Sequence, residues 1–87
     1  IAANFDFNIY PNPFSERTTF SFTLQQEENV MVRLFDLSGK QVALVANGKY
    51  KAGNHKLDLS ASGLRSGFYI CVIGTNTNYY FKKIIIH

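Results

Sequence analysis

The chain has 87 residues, enough for one domain and too few for the second domain or long loops that shape a large substrate cleft. It holds no run of about 18 apolar residues, which excludes a membrane-spanning helix. The formal net charge of +3 is spread over nine basic residues rather than gathered in a block, so a polyanionic partner is only weakly indicated.

Hydrophobic residues make up 46% of the chain, with eight Phe and five Tyr as bulky core material, so a packed interior is expected. The single cysteine, Cys71, excludes an internal disulfide framework. The sequence starts at Ile1 and carries no charged and apolar leader pattern, so it is taken as a piece of a longer protein.

The alternating pattern begins at Phe5 and runs to Ile9, although residues 1–6 as a whole are assigned to the remnant of a linker. Tyr10-Pro11-Asn12-Pro13 follows. Its two prolines fix two φ angles and hold the residues before them extended, which predicts a stiff connector. Thr18 to Leu24 alternates again, with Phe20, Phe22 and Leu24 on one face. Glu27-Glu28 reads as a solvated turn between strands. Val30 to Phe35 then places Val30, Val32 and Leu34 inward and Arg33 in water.

Asp36-Leu37-Ser38-Gly39 has the composition of a tight turn. Asp bonds its own backbone at the first position, and Gly39 accepts a positive φ at the fourth. Gln41 to Val45 returns as the partner strand, and Asn47-Gly48 is expected to end it. His55 to Ser60 places Leu57 and Leu59 inward. Phe68 to Ile73 is apolar on both faces, the mark of a central strand or one covered on its outer side. Gly74 to Asn78 leads into a last strand, Tyr79 to Ile86. About seven short strands without a helical period predict an all-β fold, an immunoglobulin-like antiparallel β-sandwich spanning residues 1–87 as one unit. Tyr69, two residues before Cys71, fits a tyrosine corner whose hydroxyl bonds upstream backbone, and Cys71 fits a small core hydrophobe.

The residues offer little chemistry. His55 and Asp58 project to opposite faces of a strand, so they do not form a catalytic pair. Cys71 lacks the exposed cationic setting of a reactive thiolate. No phosphate loop, zinc spacing or calcium loop occurs. The chain is expected not to be an enzyme and to need no cofactor or metal. Tyr79-Tyr80-Phe81-Lys82-Lys83 interleaves aromatic and basic residues, as base-stacking platforms do. Its faces alternate and the charge is modest, so nucleic-acid binding is set aside. A carbohydrate platform commonly uses Trp, and the chain has none.

The order of the punctuation points is more distinctive than any one of them. Tyr10-Pro11-Asn12-Pro13-Phe14 precedes Thr18-Thr19-Phe20-Ser21-Phe22, then Val30 to Asp36 with Gly39 and Val42. Ala52-Gly53-Asn54-His55, Leu64-Arg65-Ser66-Gly67-Phe68-Tyr69 and a basic final strand follow. From about Phe7 to Ile86 this resembles the type A C-terminal sorting domain of type IX (Por) secretion system cargo proteins of Bacteroidetes. The resemblance implies a seven-stranded immunoglobulin-like sandwich behind an N-terminal passenger domain. Such a domain addresses its cargo to an outer-membrane translocon, and a sortase-like peptidase commonly removes it. The cargo passes through the periplasm to the outer-membrane surface or the medium.

Carried onto this chain, the recognition motif comprises Pro11, Asn12 and Pro13, the turn residues Gly39 and Gly53, and Leu64, Gly67 and Tyr69. The C-terminal lysine feature falls on Lys82 or Lys83. Two physical expectations accompany the resemblance. A last strand at a sheet edge offers unpaired N–H and C=O groups for strand addition, including self-association, with lysines limiting promiscuous pairing. The stretch before Phe5 is the accessible place to cut. The reading from another class is a fibronectin- or immunoglobulin-like accessory module, a spacer or carbohydrate binder, of a secreted enzyme.

Overall fold

In a computed structural model, which describes residues 6–87, side-chain alternation decides which face each strand buries. Along β2 (Arg17–Leu24), Thr18, Phe20, Phe22 and Leu24 are buried, while Thr19, Ser21 and Thr23 stay half-exposed on the other face. Along β3 (Glu28–Asp36) the same rule buries Val30, Val32 and Leu34. These two inner faces belong to different sheets and supply the centre of one core.

The remaining elements are β1 (Asp6–Tyr10), β4 (Gln41–Tyr50), β5 (Gly53–Ser60), β6 (Gly67–Gly74) and β7 (Tyr79–Ile86). One sheet has the order β1-β2-β5 and the other β4-β3-β6-β7, with every strand pair antiparallel. This is the expected sandwich of immunoglobulin-like type, with the fourth strand beside the third. Phe20, Leu34, Ile73 and Ile84 are wholly buried. Phe7 meets Phe20 edge-on at 5.9 Å between ring centroids. Removing a ring such as that of Phe20 would cost about 3–5 kcal/mol through lost transfer energy and the cavity left behind.

β6 lies between β3 and β7, the central position that its two-sided apolar sequence predicts. Leu57 and Leu59 pack against the core as expected.

Four local expectations are corrected. Asn47-Gly48 does not end β4. The strand continues to Tyr50, with Asn47 opposite Met31 and Gly48 opposite Val30. Register shifts between Val32/Arg33 and Leu34/Phe35 leave Val45 and Val42 as extra residues on β4, and both still pack on the core. Bulges of this kind break the period of two and hide the strand's true length. Glu28 is not a turn residue but opens β3, and its carboxylate accepts from the Asn76 N–H at 3.3 Å. Arg33 is half-buried rather than immersed in water. Its guanidinium sits 5.3 Å from the Phe35 ring centroid, and its buried Nε has no hydrogen-bond partner. Asp6, assigned to the linker, pairs with Thr23 in β1. Phe5 and the proposed cutting stretch lie outside the described residues. Among the described residues, no helix is long and apolar enough to cross a membrane.

Candidate recognition surface

β7 is a sheet-edge strand, and the parity of its backbone groups decides what it can bind. The carbonyl of Lys83, both backbone groups of Ile85 and the N–H of His87 all point away from β6 toward the connector after β1. There Asn12 acts as a substitute strand. Its Nδ2 donates to the Lys83 carbonyl at 2.9 Å, and its Oδ1 accepts from the Ile85 N–H at 3.0 Å. Phe14 continues the cover. Its N–H donates to the Ile85 carbonyl at 3.1 Å, and its carbonyl accepts from the His87 N–H at 2.8 Å, forming a parallel bridge with Ile86.

The edge expected to be open is therefore closed over its C-terminal half. Toward its start, the backbone groups of Tyr79 and Phe81 share the outward direction of Lys83, and no described strand lies beyond them.

The connector is held from its other side as well. Thr18, a buried polar residue, donates its hydroxyl to the Pro11 carbonyl at 2.6 Å. The Phe14 ring is buried in the core, and both Tyr10–Pro11 and Asn12–Pro13 peptide bonds are cis. Phe14 and Thr18 are working residues that sequence reasoning missed. A readable signal existed for Thr18, which shares the parity of Phe20, Phe22 and Leu24.

The Leu64–Tyr69 motif sits beside the same part of β7. Gly67 pairs with Ile86 and Tyr69 with Ile84. The Tyr69 hydroxyl donates to the Arg65 carbonyl at 2.5 Å, the expected corner. Leu64 packs against the core, and its N–H donates to the Ala61 carbonyl at 2.9 Å. Gly67 has φ 148°, a left-handed value that favours glycine where the chain turns into β6. Next to this corner lies the β3–β4 turn, where Gly39 has φ 91° and donates to the Asp36 carbonyl at 3.0 Å. The Asp36 carboxylate accepts from the Ser38 hydroxyl at 2.6 Å and from the N–H groups of Ser38 and Lys40. These bonds hold it below the usual carboxylate range, the Ser38 hydroxyl contributing most. An open groove of about 540 Å³ joins the two features, lined by Asp36, Lys40, Leu64, Arg65 and Tyr69 among others.

The structure thus gathers Pro11, Asn12, Pro13, Gly39, Leu64, Gly67 and Tyr69 at one end of the sandwich, around the close of β7. Gly53 is not among them. It pairs with Leu24 at the opposite end, where φ 122° starts β5. The two lysines take different faces. Lys82 shares the parity of the buried Ile84 yet is exposed, whereas Lys83 lies on the outer face with its ammonium 5.4 Å from the Phe68 ring centroid.

The groups weighed for catalysis are engaged otherwise. The His55 ring stacks on Phe22 at 5.3 Å and places Nε2 2.7 Å from the Lys51 carbonyl oxygen. Asp58 lies on the other face and accepts from the Thr19 hydroxyl at 3.1 Å. Burial pushes the Cys71 thiol up to about 12. Among the described residues, no three His, Cys, Asp or Glu side chains come together as a metal site.

A family model described as a secretion system C-terminal sorting domain matches residues 8–87. No curated protein matches the chain.

Proposed function

The chain belongs to the family of secretion system C-terminal sorting domains, the type IX sorting signals, and from that premise we propose how it does its work. It is an address rather than a catalyst. It takes an N-terminal passenger in the same chain through the periplasm to the outer-membrane translocon, and thence to the cell surface or the medium. A sortase-like peptidase then removes it by cutting upstream of β1. The family match over residues 8–87 carries this reading. The gathering of Pro11, Asn12, Pro13, Leu64 and Gly67 beside the end of β7, braced by the buried Tyr69, supports it, because a translocon can then meet one composite surface. Lys82 and Lys83 supply charge on either face of that strand.

The test is a reporter with a secretory signal peptide fused ahead of residues 1–87, expressed in a type IX-competent bacterium. The reporter should reach the surface or medium and lose the domain there. A well-folded fusion that stays in the periplasm overturns the reading. A spacer or glycan-binding module is the other reading, favoured only by the exposed Tyr79 and Phe81 rings. It predicts glycan affinity that falls when those rings are replaced.

A further inference from the structure

The open part of the β7 edge has defined limits. Beyond Lys83 the outward-facing backbone groups are occupied by Asn12 and Phe14. Before Tyr79 the strand ends in a turn closed by the Thr75 N–H donating to the Asn78 carbonyl at 2.9 Å. Among the described residues, what is left uncovered is the outward backbone at residues 79, 81 and 83, the Lys83 carbonyl already taken by Asn12. Tyr79 and Phe81 are each 67% exposed, on the outer face that also carries Phe68 at 52%. An exposed apolar strand edge is a site where another strand adds.

We infer that this edge pairs antiparallel with the same edge of a second copy, on a two-fold axis through Phe81. The register follows from the cover. Pairing residue 81 with 81 also pairs 79 with 83, and it alone uses all three outward positions while stopping short of Asn12 and Phe14. Phe81 N–H donates to the Phe81 carbonyl of the second copy, and Lys83 N–H donates to the Tyr79 carbonyl of the second copy. Each bond is repeated by symmetry.

The side chains complement each other in that register. Directly opposed residues share a face. Phe81 meets its own copy, and Lys83 meets the Tyr79 ring of the second copy, a cation–π arrangement like the one it already makes with Phe68. On the other face Lys82 comes opposite Tyr80 of the second copy. Tyr79-Tyr80-Phe81-Lys82-Lys83 is thus self-complementary about its centre, with no lysine facing a lysine. Moving the axis to Lys82 or Lys83 would oppose two ammonium groups, so the lysines select the register while discouraging others. The result is a continuous eight-stranded sheet made by an isologous contact.

The pairing is short and each copy carries a formal charge of +3, so association is weak and reversible. Added salt screens that repulsion and should tighten it. An acidic strand from another protein would respond in the opposite sense.

The test combines association and cross-linking. Sedimentation of the 87-residue chain at rising concentration should show a monomer–dimer equilibrium that salt favours. Phe81→Lys sets two ammonium groups face to face at an exposed position and should abolish it. Phe81→Cys should oxidise to a disulfide-linked dimer roughly tenfold faster than Leu37→Cys, an equally exposed turn control, because antiparallel pairing holds the two Cα atoms about 5.5 Å apart. Native Cys71 is buried and stays silent. A mixture of Tyr79→Cys and Lys83→Cys chains should cross-link, while each alone should not. Several results would overturn the inference: a chain monomeric at millimolar concentration, Phe81→Cys no faster than Leu37→Cys, or a dimer indifferent to Phe81→Lys. The last is what exchange of whole β7 strands between copies would give.

Discussion

The Asn12 amide holds the Lys83 carbonyl and the Ile85 N–H at 2.9 and 3.0 Å, the two bonds that a neighbouring strand would have made. Residues 71 positions apart in the chain are thereby fastened together. The connector after β1 and the last strand become one structural unit. Any force or ligand that moves one is felt by the other.

Replacing Asn12 should loosen that unit selectively. Asn12→Ala removes both bonds and is expected to cost about 1–2 kcal/mol, as two exposed hydrogen bonds of ordinary net value do. Asn12→Asp is expected to be at least as harmful, because a carboxylate oxygen replaces the donor that faced the Lys83 carbonyl. Urea denaturation measures the loss, and amide exchange locates it, with Ile85 and His87 losing protection before the β3 and β6 amides. Unchanged exchange at Ile85 would contradict the clamp. In export assays, Asn12→Ala should reduce surface delivery more than an equally destabilising core truncation such as Val32→Ala.

Tyr69 tests the corner. Tyr69→Phe keeps the buried ring and deletes only the bond to the Arg65 carbonyl. A loss of about 1 kcal/mol is expected by thermal or urea unfolding. Export should follow stability alone, since Tyr69 is buried and its hydroxyl is occupied internally. A fall in export with unchanged stability would instead make Tyr69 a contact residue.

Asp36 sets a pH dependence for the β3–β4 turn. Its folded-state pKa is lowered, first by the Ser38 hydroxyl and then by the Lys40 and Ser38 N–H groups. A depressed carboxylate adds stability that is complete above its ordinary value near 3.8 and is lost as pH falls through the lower folded value. The Ser38 and Lys40 amide resonances should therefore titrate together with Asp36, below the ordinary Asp range. Asp36→Asn should remove that titration. Amide shifts that move independently of residue 36 would refute the assignment.

Cys71 reports on opening. With its thiol buried and pushed up to about 12, it should resist thiol reagents at pH 8 and react only through the small unfolded population. Labelling rates measured against urea should track the unfolding equilibrium. Prompt labelling of the native chain would contradict a buried position.

Much of the architecture is legible from short stretches of chain. Phe20, Phe22 and Leu24, or Val30, Val32 and Leu34, share a face because a strand repeats every two residues, and nothing beyond the strand is needed to see it. The Asp36–Gly39 turn and the Tyr69 corner are equally local. The end of β4 is not legible in this way, because its two bulges are a property of its pairing with β3, not of its own composition. Nor is the setting of Arg33, because its half-buried place beside Phe35 belongs to the outer face of a four-stranded sheet that several strands build together.

By itself, the order of amino acids determined that there are seven strands, most of their buried faces and the motif series that places the chain among sorting domains. These depend on backbone period, turn chemistry and neighbours a few residues away. Only the tertiary structure decided that Pro11-Asn12-Pro13 closes one half of the last strand, while no described strand covers the outward backbone of Tyr79 and Phe81. That decision rests on hydrogen bonds between opposite ends of the chain. Their partners are chosen by where the two sheets bring the ends together, and no local pattern records it.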